Sequence, residues 1–231
     1  MTAEPFDLPD GHRTVELRAL MSQPGTRTHA SHDGVILANN ELEFGGVYGS
    51  VPEATLRAFL DRSEFVGQLL FVAELAPSME GFEFQRALVF GRVTEPPPPR
   101  LRPLPAGLDL RLATVGDDFS LFDDDTMAEL YDAARRGAVH VVAHESRVVV
   151  AAYPAWQSEG FADVSVDTVE AFRGRGLGGH AVLATVRAIE ATGRRPVWGA
   201  LETNVPSLRL ARRLGFLDER GAVYLARYPG P

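Results

Sequence analysis

Apolar residues fall into short runs along this chain, and their period changes from place to place. Over residues 35–48 they alternate with Asn39, Asn40, Gly45 and Gly46, the pattern of two short strands and a turn. Ser50-Val51-Pro52-Glu53 then has the form of a capping box with proline in the first turn, and Leu56, Phe59 and Leu60 follow at helical spacing. Residues 69–75 and 84–93 are apolar with β-branched and aromatic members, and predict strands around a loop at 77–81. Residues before about Arg13, with Pro5, Pro9 and Gly11 among polar neighbours, are expected to be frayed.

The run Thr94-Glu95-Pro96-Pro97-Pro98-Pro99-Arg100-Leu101-Arg102-Pro103-Leu104-Pro105 cannot donate a regular ladder and favours extended polyproline geometry. It is read as a semi-rigid spacer, with a proline-rich recognition motif as the alternative. The expected organisation is an N-terminal α/β domain at 1–95, a linker at 96–106 and a second domain at 107–231. In the latter, 108–113 reads as a strand. Thr126-Met127-Ala128-Glu129 offers another capping box behind Asp123, Asp124 and Asp125, which suit the positive end of a helix and could alternatively hold a metal. Residues 139–143 and 147–153 form a predicted hairpin around Glu145-Ser146, with His140 and His144 on one face of their strand. Then 161–169 reads as a strand, a helix follows and ends at Gly193, 197–201 is a strand, 204–214 a helix and 221–228 a last strand. No internal repeat is evident.

Composition narrows the chemistry. All 23 basic residues are arginine and there is no cysteine, so Schiff-base lysines, thiolate metal sites and acyl-cysteine intermediates are excluded. A net charge of −8 disfavours a broad nucleic-acid surface and makes cationic small molecules the easier partners. No apolar run approaches the roughly 18 residues that span a bilayer, and the N-terminus does not read as a signal peptide. The expectation is a cytoplasmic protein without nucleic-acid or membrane partners and without a bound metal; a homodimer is compatible with it.

The most informative stretch is 166–179, where a strand stops at Arg173-Gly174-Arg175-Gly176-Leu177-Gly178-Gly179 and a helix begins. Glycines let a ligand approach the backbone, and the free N–H groups of a first helical turn favour an anion. The bland reading is a helix start that needed a tight turn. Downstream, Asn204 and Ser207 lead into a helix that ends in Leu214-Gly215-Phe216.

Residues 173–178 fit the Arg/Gln-x-x-Gly-x-Gly/Ala signature of the GNAT superfamily of acyl-CoA-dependent N-acetyltransferases, and 204–216 resembles that family's second motif. The resemblance covers roughly 108–228. More narrowly, residues 163–168 together with Pro196 and Trp198 look like the zwittermicin-resistance-type branch, whose members carry an extra N-terminal region. The resemblance implies an α/β (α+β) fold with a mixed, mainly antiparallel central sheet flanked by helices, and acetyl-CoA as co-substrate for transfer to the amine of a small molecule or peptide. It places the cofactor against Thr168, Val169, Arg173, Gly174, Arg175, Gly176, Leu177, Gly178 and Gly179, with Asn204 and Ser207 beside its arm. Asn204 alternatively caps its helix. A backbone N–H near Val169 would face the thioester oxyanion. Asp163 is the favoured base, with Asp167 and Glu202 behind it, although a carboxylate there could equally bind a cation or face solvent. Many family members carry a tyrosine at the position of Ala211 as acid for the thiolate, so its absence leaves Tyr224, a water, or unprotonated departure. Two other outcomes stay open: an acyl-CoA sensor without turnover, and a protein N-terminal acetyltransferase.

Overall fold

The computed structural model describes residues 7–75, 77–94, 99, 101–144 and 147–228. The elements run α1 (Val15–Met21), β1 (Arg27–Ala30), β2 (Gly34–Asn39), β3 (Phe44–Gly49), α2 (Glu53–Arg62), β4 (Gly67–Val72), β5 (Gln85–Arg92), β6 (Leu108–Leu112), α3 (Asp124–Arg135), β7 (His140–His144), β8 (Arg147–Gln157), β9 (Phe161–Thr168), α4 (Gly178–Ala191), β10 (Arg195–Leu201), α5 (Val205–Arg213) and β11 (Phe216–Tyr228), with a single 3-10 turn at Glu170–Phe172. The predicted turn at Glu145-Ser146, and Glu95, Pro96, Pro97, Pro98 and Arg100 of the proline run, lie outside the described residues.

The eleven strands among the described residues join one sheet, in the order β1-β2-β3-β4-β11-β5-β10-β9-β8-β7-β6. Only β3 with β4 and β9 with β10 pair in parallel; every other neighbouring pair is antiparallel. The mixed, mainly antiparallel sheet flanked by helices is therefore as expected. Unexpected is a repeat of topology that no sequence similarity betrays. An antiparallel trio (β1-β2-β3, then β7-β8-β9) leads through a helix (α2, α4) to a parallel neighbour (β4, β10) and a closing strand (β5, β11). The closing strands are exchanged: β5 lies between β10 and β11, and β11 between β4 and β5.

One face of the sheet carries α2, α4 and α5 over a core that includes Leu56, Phe65, Phe71, Val182, Val186, Trp198 and Phe216. On the other face, α3 covers Val141, Val148 and Tyr153, while α1 buries Val15, Leu17 and Leu20 against Val35, Leu70, Val89, Phe161 and Val197. Burial of such side chains contributes about 1.5–3 kcal/mol each. The sheet curls around α1 far enough for Phe44 of β3 to stack on Trp156 of β8, ring centres 5.3 Å apart.

Three local expectations change. Of the stretch expected to be frayed, residues 1–6 lie outside the described residues, and the part from 7 to 12 is anchored: Leu8 is buried, and Asp10 accepts from Ser158 Oγ and the Gly160 N–H at 2.5 and 2.7 Å. Arg18 holds Glu159 of the same β8–β9 turn through two bonds of 2.9 Å. Helix α2 starts after an extended Pro52, whose side chain offers no acceptor to cap it, and Glu53 pairs with Arg57 one turn on. Helix α3 is capped by Asp123, which accepts from the Thr126 N–H and hydroxyl, and Glu129 instead takes a bond from Tyr153.

Candidate active site

β9 and β10 pair only at Phe161–Arg195, Ala162–Pro196 and Asp163–Val197. Beyond that row each strand is held by its outer neighbour, β9 by β8 and β10 by β5, and the two part. The Val169 N–H donates to the Val149 carbonyl at 3.0 Å. It is spent on the ladder, so an oxyanion donor near Val169 would be a neighbouring N–H. Because hydrogen-bonding direction alternates along an antiparallel strand, the N–H groups of Thr168 and Val166 point away from β8, into the opening.

At its mouth the chain makes the 3-10 turn and then the glycine loop. Gly174 and Gly176 have φ of 73° and 78°, and a Cβ on either would meet nothing within 4 Å. These glycines are required by backbone conformation, and the space over them is free. Helix α4 has no side-chain cap, so its first N–H groups, from about Leu177 to Gly179, remain available to an anion. Gly178 packs near Thr168 and Val166, and Gly179 lies against Leu101 of the proline run, whose neighbour Arg102 receives a hydrogen bond at its carbonyl from His180. Arg173 reaches back to the Thr168 carbonyl at 3.0 Å. Arg175 bonds the Ala171 carbonyl and lies over the Phe172 ring. Both guanidinium groups stay exposed beside the loop.

The carboxylates separate by position. Asp163, Ser165 and Asp167 share the face of β9 turned toward α1 and α3. Asp163 lines a cavity of ≈ 150 Å³ beneath α1, with Glu16, His12, Arg13 and Gly199. Burial pushes the Asp163 carboxyl up to about 7 against the pull of the Gly199 and Val164 N–H groups. Burial, and then the Asp163 charge, push Glu16 up to about 8. Sequence reasoning missed Glu16, because seven residues of α1 carry too little periodicity and its first turn has no side-chain cap. Asp167, also raised by burial and then by Glu129 and Asp123, belongs to a polar group with Tyr153 and Glu129. Glu202 lies just beyond β10, half-exposed and ion-paired with Arg86 at 2.7 Å. Tyr224 is buried in the core on the opposite face from Asp163, on β11, with β5 between it and β10. The structure therefore sets Asp163 in the last paired row, where β9 and β10 part, and Tyr224 on the opposite face two strands from β10, while the Glu202 carboxylate just past β10 is held by Arg86.

Asn204 caps α5 by accepting the Ser207 N–H at 3.2 Å. The Ser207 hydroxyl accepts from the Trp198 indole at 3.1 Å, so both expected cofactor contacts have structural partners. Ala211 is fully buried under α5. No group of three or more His, Cys, Asp or Glu residues placed to hold a metal occurs among the described residues. No helix among them is long and apolar enough to cross a membrane.

A parted parallel strand pair, outward N–H groups and an open, uncapped glycine loop fit a long ligand with a pyrophosphate at one end and amides along its arm. The model of the GNAT acetyltransferase family matches residues 125–221. No curated protein sequence matches the chain. Among solved structures, a GCN5-related N-acetyltransferase-like protein from Streptococcus suis is 17% identical, with 95% of this chain and 94% of that one covered and a TM-score of 0.64. A GCN5-related N-acetyltransferase from Kribbella flavida is 15% identical, with 95% of each chain covered and a TM-score of 0.63. A tandem GNAT protein from the clavulanic acid biosynthesis pathway is 14% identical, with 95% and 94% covered and a TM-score of 0.54. Residues 125–221 thus match the GNAT acetyltransferase family, inside a chain whose fold throughout is that of GNAT proteins.

Proposed function

We propose that this protein is an N-acetyltransferase that moves acetyl from acetyl-CoA to an amine by direct attack. The observation that supports it most is the parting of β9 from β10 directly after Asp163, with the uncapped glycine loop at the mouth. The N–H groups of residues 174–179 would hold the pyrophosphate, aided by Arg173 and Arg175, and those of Val166 and Thr168 would meet the amide arm and the thioester oxygen. Acetyl-CoA supplies an activated thioester. Asp163 takes the amine's proton as the nitrogen–carbon bond forms, the carbon–sulfur bond breaks, and the thiolate leaves with its electron pair. A carboxyl raised toward neutrality suits that task better than an ordinary one.

Residues 107–231 carry this chemistry in our reading, while 1–95 wall the acceptor side through α1. Membership of the zwittermicin-resistance-type branch is part of the same proposal. Burial of Ala211 where the family often has a tyrosine, with Tyr224 elsewhere, favours a second reading: a sensor that binds acyl-CoA without turnover. Calorimetric titration with acetyl-CoA, followed by thiol release over a panel of small amines and peptides, separates them. Binding with amine-dependent release supports the transferase, binding without release the sensor, and the absence of binding refutes both. Release with peptides alone would make the acceptor a protein N-terminus.

A further inference from the structure

The cavity holding Asp163 and Glu16 adjoins a second, larger one of ≈ 670 Å³ beside the ends of β3 and β4 and the bulge of β11, bounded by Tyr48, Glu74 and Arg220. His12 and Arg13 line both. The two ends differ in charge. At the outer end His12 and Arg220 stand over Gly91, whose Cβ would lie 2.7 Å from His12 Nε2 and 3.5 Å from Arg220 Nε. Arg195 covers the Phe161 ring at 4.2 Å, and the same ring packs edge-on against His12. Burial, then Arg220 and Arg195, bring His12 down to about 4, so the imidazole is neutral and the arginines set the field.

Arg13 is under-used. Its Nε is buried without a hydrogen-bond partner among the described residues. Its two terminal nitrogens meet the Ala73 carbonyl and Glu74, whose side chain is 89% exposed. A carboxylate that open to water is readily exchanged for another anion. Among the described residues Arg220 pairs only with Asp218, on its own strand, and its side chain is 46% exposed.

Register gives the spacing. Gly91, Val197 and Asp163 form one row across β5, β10 and β9, so the arginine end lies two strand spacings, about 10 Å, from the carboxylate end. We propose that the acceptor is an amine that also bears a carboxylate several bonds away, its anion held by Arg13 and Arg220 and its amine delivered to Asp163 beside Glu16. The inference rests on the transferase reading and adds the class of acceptor.

The test compares 5-aminopentanoate, lysine and glycylglycine with pentylamine and cadaverine, which lack the carboxylate, in acetyl-CoA-dependent thiol release. The wild-type protein is expected to favour the carboxylate-bearing amines at least tenfold in kcat/KM. Arg220→Gln should bring that ratio close to one through KM, and Arg220→Glu should turn the preference toward cadaverine, a result that mere loss of packing would not give. Equal or better use of pentylamine and cadaverine by the wild type, or a ratio unmoved in both variants, overturns this inference and leaves the transferase reading standing. Acetyl-CoA binding with no release from any of these amines overturns this inference, and no release over the wider panel of amines and peptides overturns the transferase reading as well.

Discussion

Replacing Asp163 by asparagine measures what the protein spends to hold a carboxyl under α1. Burial moves that group from an ordinary 3.8 to about 7, which corresponds to roughly 4 kcal/mol between its neutral and charged forms. The folded state thus keeps a proton that the unfolded chain releases between about pH 4 and 7, and stability falls as pH rises through that window. Asparagine keeps the shape and an acceptor for the Gly199 N–H, and is neutral in both states. The variant should therefore match the wild type near pH 4, gain on it up to about pH 7 and hold that gain above it, by on the order of 10 °C in Tm for a chain of this size. Glu16→Gln should flatten the same profile over a window reaching about 8. The double variant should gain less than the sum, since each carboxylate burdens the other. Scanning calorimetry at pH 4.5, 6, 7.5 and 9 reads all three proteins. A Tm difference that stays constant with pH would show that neither carboxylate is held against its charge, and the reasoning would fail.

If Asp163 takes the amine's proton, kcat/KM should rise with pH toward about 7 and then level, and the Asp163→Asn variant should lose that limb along with most of kcat. Gly176→Glu puts a side chain where φ is 78° and a like charge where an anion is expected. It should cost about 1–2 kcal/mol of stability and weaken acetyl-CoA binding at least tenfold by calorimetry. Asn204→Ala removes the α5 cap and should lower stability by about 1 kcal/mol in urea melts. Ser207→Ala leaves the buried Trp198 indole N–H without its acceptor, a loss of about 1–3 kcal/mol by the same measurement.

Much of the fold was legible because local pattern and tertiary role agree. The strand of 85–92 and the helix behind the glycine loop were near their predicted places, since β-branched runs and the Val182, Val186, Ile189 stripe answer to burial on known periods. Gly174 and Gly176 were legible as a turn for the same reason: only glycine takes positive φ without strain. Helix starts were misplaced where another partner won the capping side chain, as Arg57 did with Glu53 and Tyr153 with Glu129. Glu16 escaped because its meaning lies in a contact with a residue 147 positions later along the chain, across the sheet. The likeness of the two halves escaped because strand order is set by pairing between distant segments, and period-two patterns carry no record of which strand will be the neighbour.

The exchange of β5 and β11 has a bearing on how the chain is made. While a ribosome is still extending residues beyond 92, β4 and β5 have no strand to lie between them, and both present unpaired edges. β5 waits for β10, and the gap beside β4 stays open until β11 has emerged. The gap beside β4 is therefore closed only once β11 has been made, and until then the open edges of β4 and β5 must be kept from one another and from other chains.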